Sequence, residues 1–563
     1  MARAFRKIEV LVVAFASAAF AVSFTYPLLK HLQQNAPGAD RDYFTETAWA
    51  AAHTINHFWQ LPFWDPYKCG GEPLLADPQA RIITLFFLLH LVCGPVAAIK
   101  LELAIHLAIA FAGGYFLGRL IGLRYVPAAV CASVFPCSSW IYLHFAAAHF
   151  TFVPGLYLPW VLSMWMLSVE GRRLLPAAVG GLLLALMYTE GAFYILSFAV
   201  PLFAAVALVA AAQRRELWPA VAGLLMGMFA VGFASIKLLP TLALHISRGT
   251  ASTEIESLGM LAQELFSRNQ NAIRTLNGME WSFFEYGAYV GPFFASFVVI
   301  GVLCDRRRAM PWIVAAAVTF VFSLGSPVWW APWPLLHRLP IYDFQHVPSR
   351  FLIIFVLALA PLAGIGAETL CSKGKLWTAI TAVILAAAVG DCWKVNYINV
   401  MLAMAGEMSG PPPPAPQFRQ FWEPSGRETF SVARSNQGAV NCYFAPGTNV
   451  KGYNQSGYRG EQYLLGDGST KLINWTPNAL DFDVDVPSSV IMIVNQNYDS
   501  GWRVRAGKGV VFPRDRLVAV LVPAGRQHLV LSYRSDPFEI GLAITMITFV
   551  AMLIIWRYEH RHP

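Results

Sequence analysis

Met1-Ala2-Arg3-Ala4-Phe5-Arg6-Lys7 opens the chain, an apolar run from Val10 to Leu29 follows, and Asp40-Arg41-Asp42-Tyr43 closes the stretch. An apolar run of about 20 residues is long enough to cross a bilayer as a helix. Lys and Arg mark the end that stays in the cytoplasm. The run is long for the core of a signal peptide, and no small-x-small cleavage site precedes the polar loop. The stretch therefore reads as a retained first span with its basic end inside and an acidic cluster delivered to the outer surface. Ionisable groups held beside a membrane are costly, so this cluster is a functional candidate from the start.

The rest of the chain repeats that pattern. Of 563 residues, 56% are hydrophobic and only 13% charged, which excludes a soluble globular protein. Apolar runs predict spans near 8–29, 98–118, 125–143, 151–169, 174–189, 192–212, 217–236, 288–304, 310–326, 351–370, 376–393 and 537–556. The net charge of +8 does not imply nucleic acid, because the basic residues sit in short clusters between apolar runs. Arg119 and Arg124, Arg172 and Arg173, Arg214 and Arg215, Arg306 to Arg308, and Lys373 and Lys375 all fall on one side of this threading. Both termini then lie in the cytoplasm. Residues 82–96 are apolar but short, and read as a helix lying in or dipping into the outer interface.

Three outside segments remain: 30–81, 237–287 and 394–536. The expected organisation is a transmembrane domain over 1–393, a β-rich outside domain over 394–536, and a final span with a short tail over 537–563. Pro411 to Pro414 give a stiff linker. Leu480, Phe482, Val484 and Val486 alternate with Asp481, Asp483 and Asp485, the period of a half-buried strand. Similar runs separated by turn residues predict a small antiparallel β-sandwich. The three aspartates fall on its solvated face rather than forming a calcium site. Sequons occur at Asn454 and Asn474. The eight cysteines lack ligand spacing and read as small buried hydrophobes. Cys69 and Cys442 both fall outside, where they could be oxidised, but nothing in the sequence pairs them.

Loop 30–81 mixes carboxylates with Trp49, Trp59, Trp64 and Tyr67. That composition suits sugar handling, since ring faces stack on sugar C–H surfaces, and it equally suits an interfacial aromatic belt. Glycosyl transfer to a hydroxyl needs a carboxylate to take the acceptor's proton. It also needs cations to stabilise a departing phosphate. Asp40 and Asp42 are the candidate bases. Lys237, Arg248 and Arg350 lie near the outer ends of spans and are candidates for a lipid phosphate, with His149 and Glu190 ranked below them. A divalent cation is left open. The chain has no phosphate-binding Gly-x-x-x-x-Gly-Lys-Ser/Thr loop, no His-Glu-x-x-His and no dinucleotide fingerprint. No cytoplasmic segment is large enough to bind a nucleotide sugar, so an activated donor would reside in the membrane.

Several motifs together resemble a known group. They are Asp40-Arg41-Asp42-Tyr43-Phe44, Leu61-Pro62-Phe63-Trp64-Asp65-Pro66, Gly70-Gly71-Glu72-Pro73, Pro348-Ser349-Arg350-Phe351 and Tyr498-Asp499-Ser500-Gly501-Trp502. In this order, between spans, they resemble the GT-C superfamily of membrane glycosyltransferases, and within it the bacterial YfhO-like proteins. The resemblance implies sugar transfer from a polyprenyl-phosphate carrier to a glycan, lipid or protein acceptor outside the bacterial cytoplasmic membrane. It implies a first-loop aspartate as general base, Asp40 or Asp42. The rival readings are a transporter or flippase for a lipid-linked glycan and a non-catalytic envelope assembly protein.

Overall fold

The computed structural model describes residues 7–35, 38, 40–244, 254–276, 279–339, 342–343, 345, 347–404, 410, 413–422, 427–442 and 458–561. Among the described residues, ten helices are long and apolar enough to cross a membrane, from Lys7–Lys30 to Asp536–Arg561. Two more expected runs also fall on helices. Leu174–Thr189 is shorter, and Arg306–Ser323 opens with three arginines. The protein is therefore a polytopic helical membrane protein. The interfacial run expected over 82–96 contains one seven-residue helix, Phe87–Cys93, which leads directly into Pro95–Leu120.

Tyr125–Ala146 and Pro348–Cys371 are the innermost helices, and Asp536–Arg561 lies at the periphery. Burying helices without a hydrophobic drive between them depends on close backbone approach. Gly301 and Gly366 supply it where Gly291–Cys304 crosses Phe351–Cys371. A Cβ on Gly366 would lie 1.9 Å from the Phe297 carbonyl oxygen, and one on Gly301 would lie 2.1 Å from that of Leu362.

Among the described residues, 462–533 fold as two four-stranded antiparallel sheets. One orders Val510–Arg514, Leu517–Val522, Val490–Asn497 and Gln462–Leu464. The other orders Ser469–Thr476, Ala479–Val486, Gly525–Tyr533 and Trp502–Ala506. Leu480, Phe482, Val484 and Val486 are buried while Asp483 and Asp485 are exposed, as the alternation requires. Asn474 is exposed on its strand, and Asn454 lies outside the described residues.

The first loop clamps this sandwich to the membrane helices. Trp64 packs in the sandwich core, and its indole donates to Gln496 Oε1 at 2.9 Å. Asn497 Nδ2 donates to the carbonyls of Cys69 and Gly71 at 2.7 and 2.9 Å. Cys69 and Cys442 form a disulfide across 373 residues of sequence, which corrects the reading that left them unpaired. Their pairing depends on the clamp, and no local pattern announces it. Replacing both by serine should lower stability by about 2–5 kcal/mol. Thermal unfolding of the double variant beside the wild type checks this.

Candidate active site

Asp40 stands immediately before the helix Arg41–Phe58. His149 stands three residues past the end of the helix Trp140–Ala146, immediately before the short helical segment Phe150–Tyr157. Trp140–Ala146 ends in a Schellman turn, in which His149 N–H donates to the His144 carbonyl at 2.8 Å and Ala148 N–H to that of Phe145 at 3.0 Å. Ala148 sits at φ +70°, where glycine is usual, so the turn that aims His149 carries backbone strain.

The first loop reaches that turn through Gly38, at φ +74°. A Cβ there would fall 2.2 Å from the Ala147 carbonyl carbon. Gly38→Ala should therefore push Asp40 away from His149. We expect intact folding of the sandwich and at least a tenfold loss of any reaction that uses both groups, since a misplacement of about 1 Å can cost 100-fold.

Around His149 the structure assembles four further charged or polar groups. Asp40 Oδ2 lies 3.7 Å from His149 Nε2, and Glu285 Oε1 lies 3.8 Å from His149 Nδ1. His144 Nδ1 and His149 Nδ1 are 3.0 Å apart, so one ring donates its proton to the other. Arg350 grips Glu285 with two parallel bonds, Nε to Oε2 and Nη2 to Oε1, each 2.7 Å. Its guanidinium also lies over the rings of Phe152 and Tyr194 at 5.1 and 5.2 Å. Glu285 and Arg350 are almost wholly buried. Asp40 keeps 28% and His149 16% of its side chain exposed, so the acid and the imidazole face the accessible side. One ligand atom each from His144, His149 and Glu285 fits within 4.8 Å of the others, a set able to hold a metal ion.

Asp42 lies one helical step away and does a different job. Its carboxylate accepts from the backbone N–H groups of Thr429 and Phe430, at 2.8 and 2.9 Å, and from the Thr429 hydroxyl. It thereby caps the helix Thr429–Ala433 from another part of the chain. Burial raises its pKa against the pull of these bonds. Asp42→Ala should cost about 1–2 kcal/mol of stability through the lost cap. Thermal unfolding of the purified variant reads this out.

Lys237 and Glu190 belong to a neighbouring buried network. Lys237 Nζ donates to the carbonyls of Pro78, Ala80 and Thr189, at 3.0 Å to Pro78 and 3.1 Å to Thr189. Glu190 accepts from Thr84 at 3.0 Å and pairs with His106 Nε2 at 3.0 Å. Glu102 joins Arg81 and His90 beside them. These bonds lock segment 78–90 onto the helices. Arg248 lies outside the described residues. Of the residues singled out from sequence, the structure thus brings Asp40, His149 and Arg350 together. His144 and Glu285 were not singled out. Glu285, in Phe283-Phe284-Glu285-Tyr286 at the mouth of an apolar run, carried the same signal as Asp40.

The molecule thus combines a buried helical membrane core, a clamped C-terminal β-sandwich, and an acid–imidazole–guanidinium cluster where the first loop meets the span ends. No family model matches the chain, and no curated protein matches it. Among solved structures it is similar to the arabinofuranosyltransferase AftD from Mycobacteria, with TM-score 0.50 and 14% identity. The match covers 95% of this chain and 40% of that one, so the chain spans about two fifths of AftD's length. It is also similar to the Archaeoglobus fulgidus oligosaccharyltransferase in complex with Zn and sulfate, with TM-score 0.43 and 13% identity over 77% of this chain and 62% of that one. The AftD likeness shows the fold alone. It does not reach the YfhO-like subtype.

Proposed function

We propose that this chain is a GT-C-type membrane glycosyltransferase of the YfhO-like kind. It moves a sugar from a polyprenyl-phosphate carrier to a glycan, lipid or protein acceptor outside the cytoplasm. The observation that carries this reading is the approach of Asp40 to His149 beside the Glu285–Arg350 pair, at the junction of loop and spans. Asp40 takes the acceptor hydroxyl's proton. The acceptor oxygen forms a bond to the anomeric carbon as the bond from that carbon to the phosphate oxygen breaks. The phosphate leaves with the electron pair. A single displacement of this kind inverts the anomeric centre.

His149 orients Asp40, and Arg350, held in place by Glu285, supplies positive charge on the phosphate side. Arg248 is the second candidate for that charge. A divalent cation held by His144, His149 and Glu285 would add Lewis-acid charge at the same place.

The bacterial cytoplasmic membrane fits the basic clusters of the threading, which place the first loop and the sandwich outside. The Cys69–Cys442 disulfide supports that side, because such bonds persist in oxidising compartments. The test is reconstitution of the purified protein in vesicles with a polyprenyl-phosphate sugar and an oligosaccharide acceptor. Release of polyprenyl phosphate together with a lengthened acceptor supports the reading. Movement of the intact lipid-linked sugar across the bilayer without either product supports a flippase instead.

A further inference from the structure

A second site lies farther along the helix that begins beside Asp40. Trp49, His53 and His57 recur at every fourth position of Arg41–Phe58 and so share one face. Their rings stack in series, Trp49 on His53 at 4.7 Å and 8°, His53 on His57 at 5.0 Å and 9°. Phe418 and Trp475, from the C-terminal region, form a second stack at 4.4 Å and 13°. Tyr67, which is fully buried, meets Trp49, Phe418 and Trp475 edge-on at 5.3, 5.7 and 6.0 Å. Tyr67 thus ties the two stacks together at the base of a cleft of about 450 Å³. That volume falls within the range of about 300–1,000 Å³ typical of ligand sites.

The polar part of the lining comes from Gln417, Arg434, Asn436 and Asn474, with His53 and His57. Burial, then the neighbouring His57, hold the His53 imidazole down to about 4. At neutral pH it is an uncharged ring with one donor and one acceptor. Amides and a neutral imidazole answer hydroxyl groups, and ring faces answer the C–H faces of pyranose or furanose rings. A purely structural aromatic core would close on itself, whereas this one is open and rimmed with hydrogen-bonding side chains.

We infer that this cleft, between the first-loop helix and the C-terminal domain, binds a glycan chain. Given the transfer reading above, on which this clause rests, the bound glycan is the acceptor. Trp49 lies nine residues beyond Asp40 and His57 seventeen, so the cleft runs from about 13 to about 26 Å along the helix axis from the base. An extended oligosaccharide seated on the two stacks would lie along the same helix that carries Asp40.

The test uses full-length protein in nanodiscs and an array of neutral and uronic-acid-containing oligosaccharides, with affinities confirmed by tryptophan fluorescence. At least one oligosaccharide should bind. Trp475→Ala and His57→Ala should each weaken it by about two- to tenfold, the scale of one lost aromatic contact. His57 is exposed, so its replacement leaves folding intact if the larger Trp475 change does not. Asp40→Asn should bind as tightly as wild type. No binding on the array, or equal binding by both cleft variants, overturns the inference and leaves transfer at Asp40 standing. Loss of binding in the cleft variants combined with full transfer by Asp40→Asn sustains the cleft and overturns the catalytic reading.

Discussion

Asp40→Asn should leave a folded, membrane-inserted protein whose sugar transfer falls by about 100- to 10,000-fold, the contribution of a positioned general base. The amide keeps the size of the carboxylate but cannot accept the acceptor's proton. Asp40 is the better of the two first-loop acids because its carboxylate is partly exposed and faces His149 at 3.7 Å. Asp42 has both oxygens occupied by Thr429 and Phe430. Asp42→Asn should therefore lose stability and retain turnover per folded molecule. Measuring initial rates and unfolding midpoints on both variants separates the two effects. The reverse result, a silent Asp40→Asn and a dead but stable Asp42→Asn, would move the base to Asp42.

Glu285→Leu should be the most destabilising single change at the site. Glu285 is buried and accepts two charge-assisted bonds from Arg350. Removing one partner of a buried ion pair strands the other charge, at a cost of about 3–5 kcal/mol. Glu285→Leu combined with Arg350→Met should recover much of that stability, because an apolar pair needs no charge compensation. Under the proposed reading activity should not return in the double variant, since it lacks the guanidinium assigned there to the phosphate side. Unfolding midpoints with transfer rates across the four proteins give the cycle. Recovery of stability without activity assigns the pair to function. Recovery of both makes it scaffolding.

The spans were legible because a helix in lipid must satisfy its own backbone and be apolar for its whole length. The sandwich was legible at Leu480, Phe482, Val484 and Val486, whose alternation is the pleat itself. Within the cluster, Asp40, His149 and Arg350 were visible as ionisable groups at span ends. Glu285 carries the same mark, but its value comes from the two bonds to Arg350 across 65 residues of sequence, which no spacing encodes. Lys237 shows the limit from the other side. Its place at the end of a helix suits a phosphate contact, yet its three carbonyl partners come from the first loop and a neighbouring helix. The Cys69–Cys442 bond was hidden for the same reason, since it depends on the loop's clamp to the sandwich. Trp64 and Gly70-Gly71, prominent in the sequence, turn out to build that clamp.

In the proposed reaction this chain adds a sugar to an acceptor outside the cytoplasm, with Asp40 as the base. Mass spectrometry of the cell-envelope glycans tests it most directly. Three strains are compared: one lacking the gene, one restored with the wild-type chain, and one restored with Asp40→Asn. A glycan species one sugar longer should appear only with the wild-type chain, while the Asp40→Asn strain matches the deletion. Identical glycans in all three, or full restoration by Asp40→Asn, would contradict the proposed reaction.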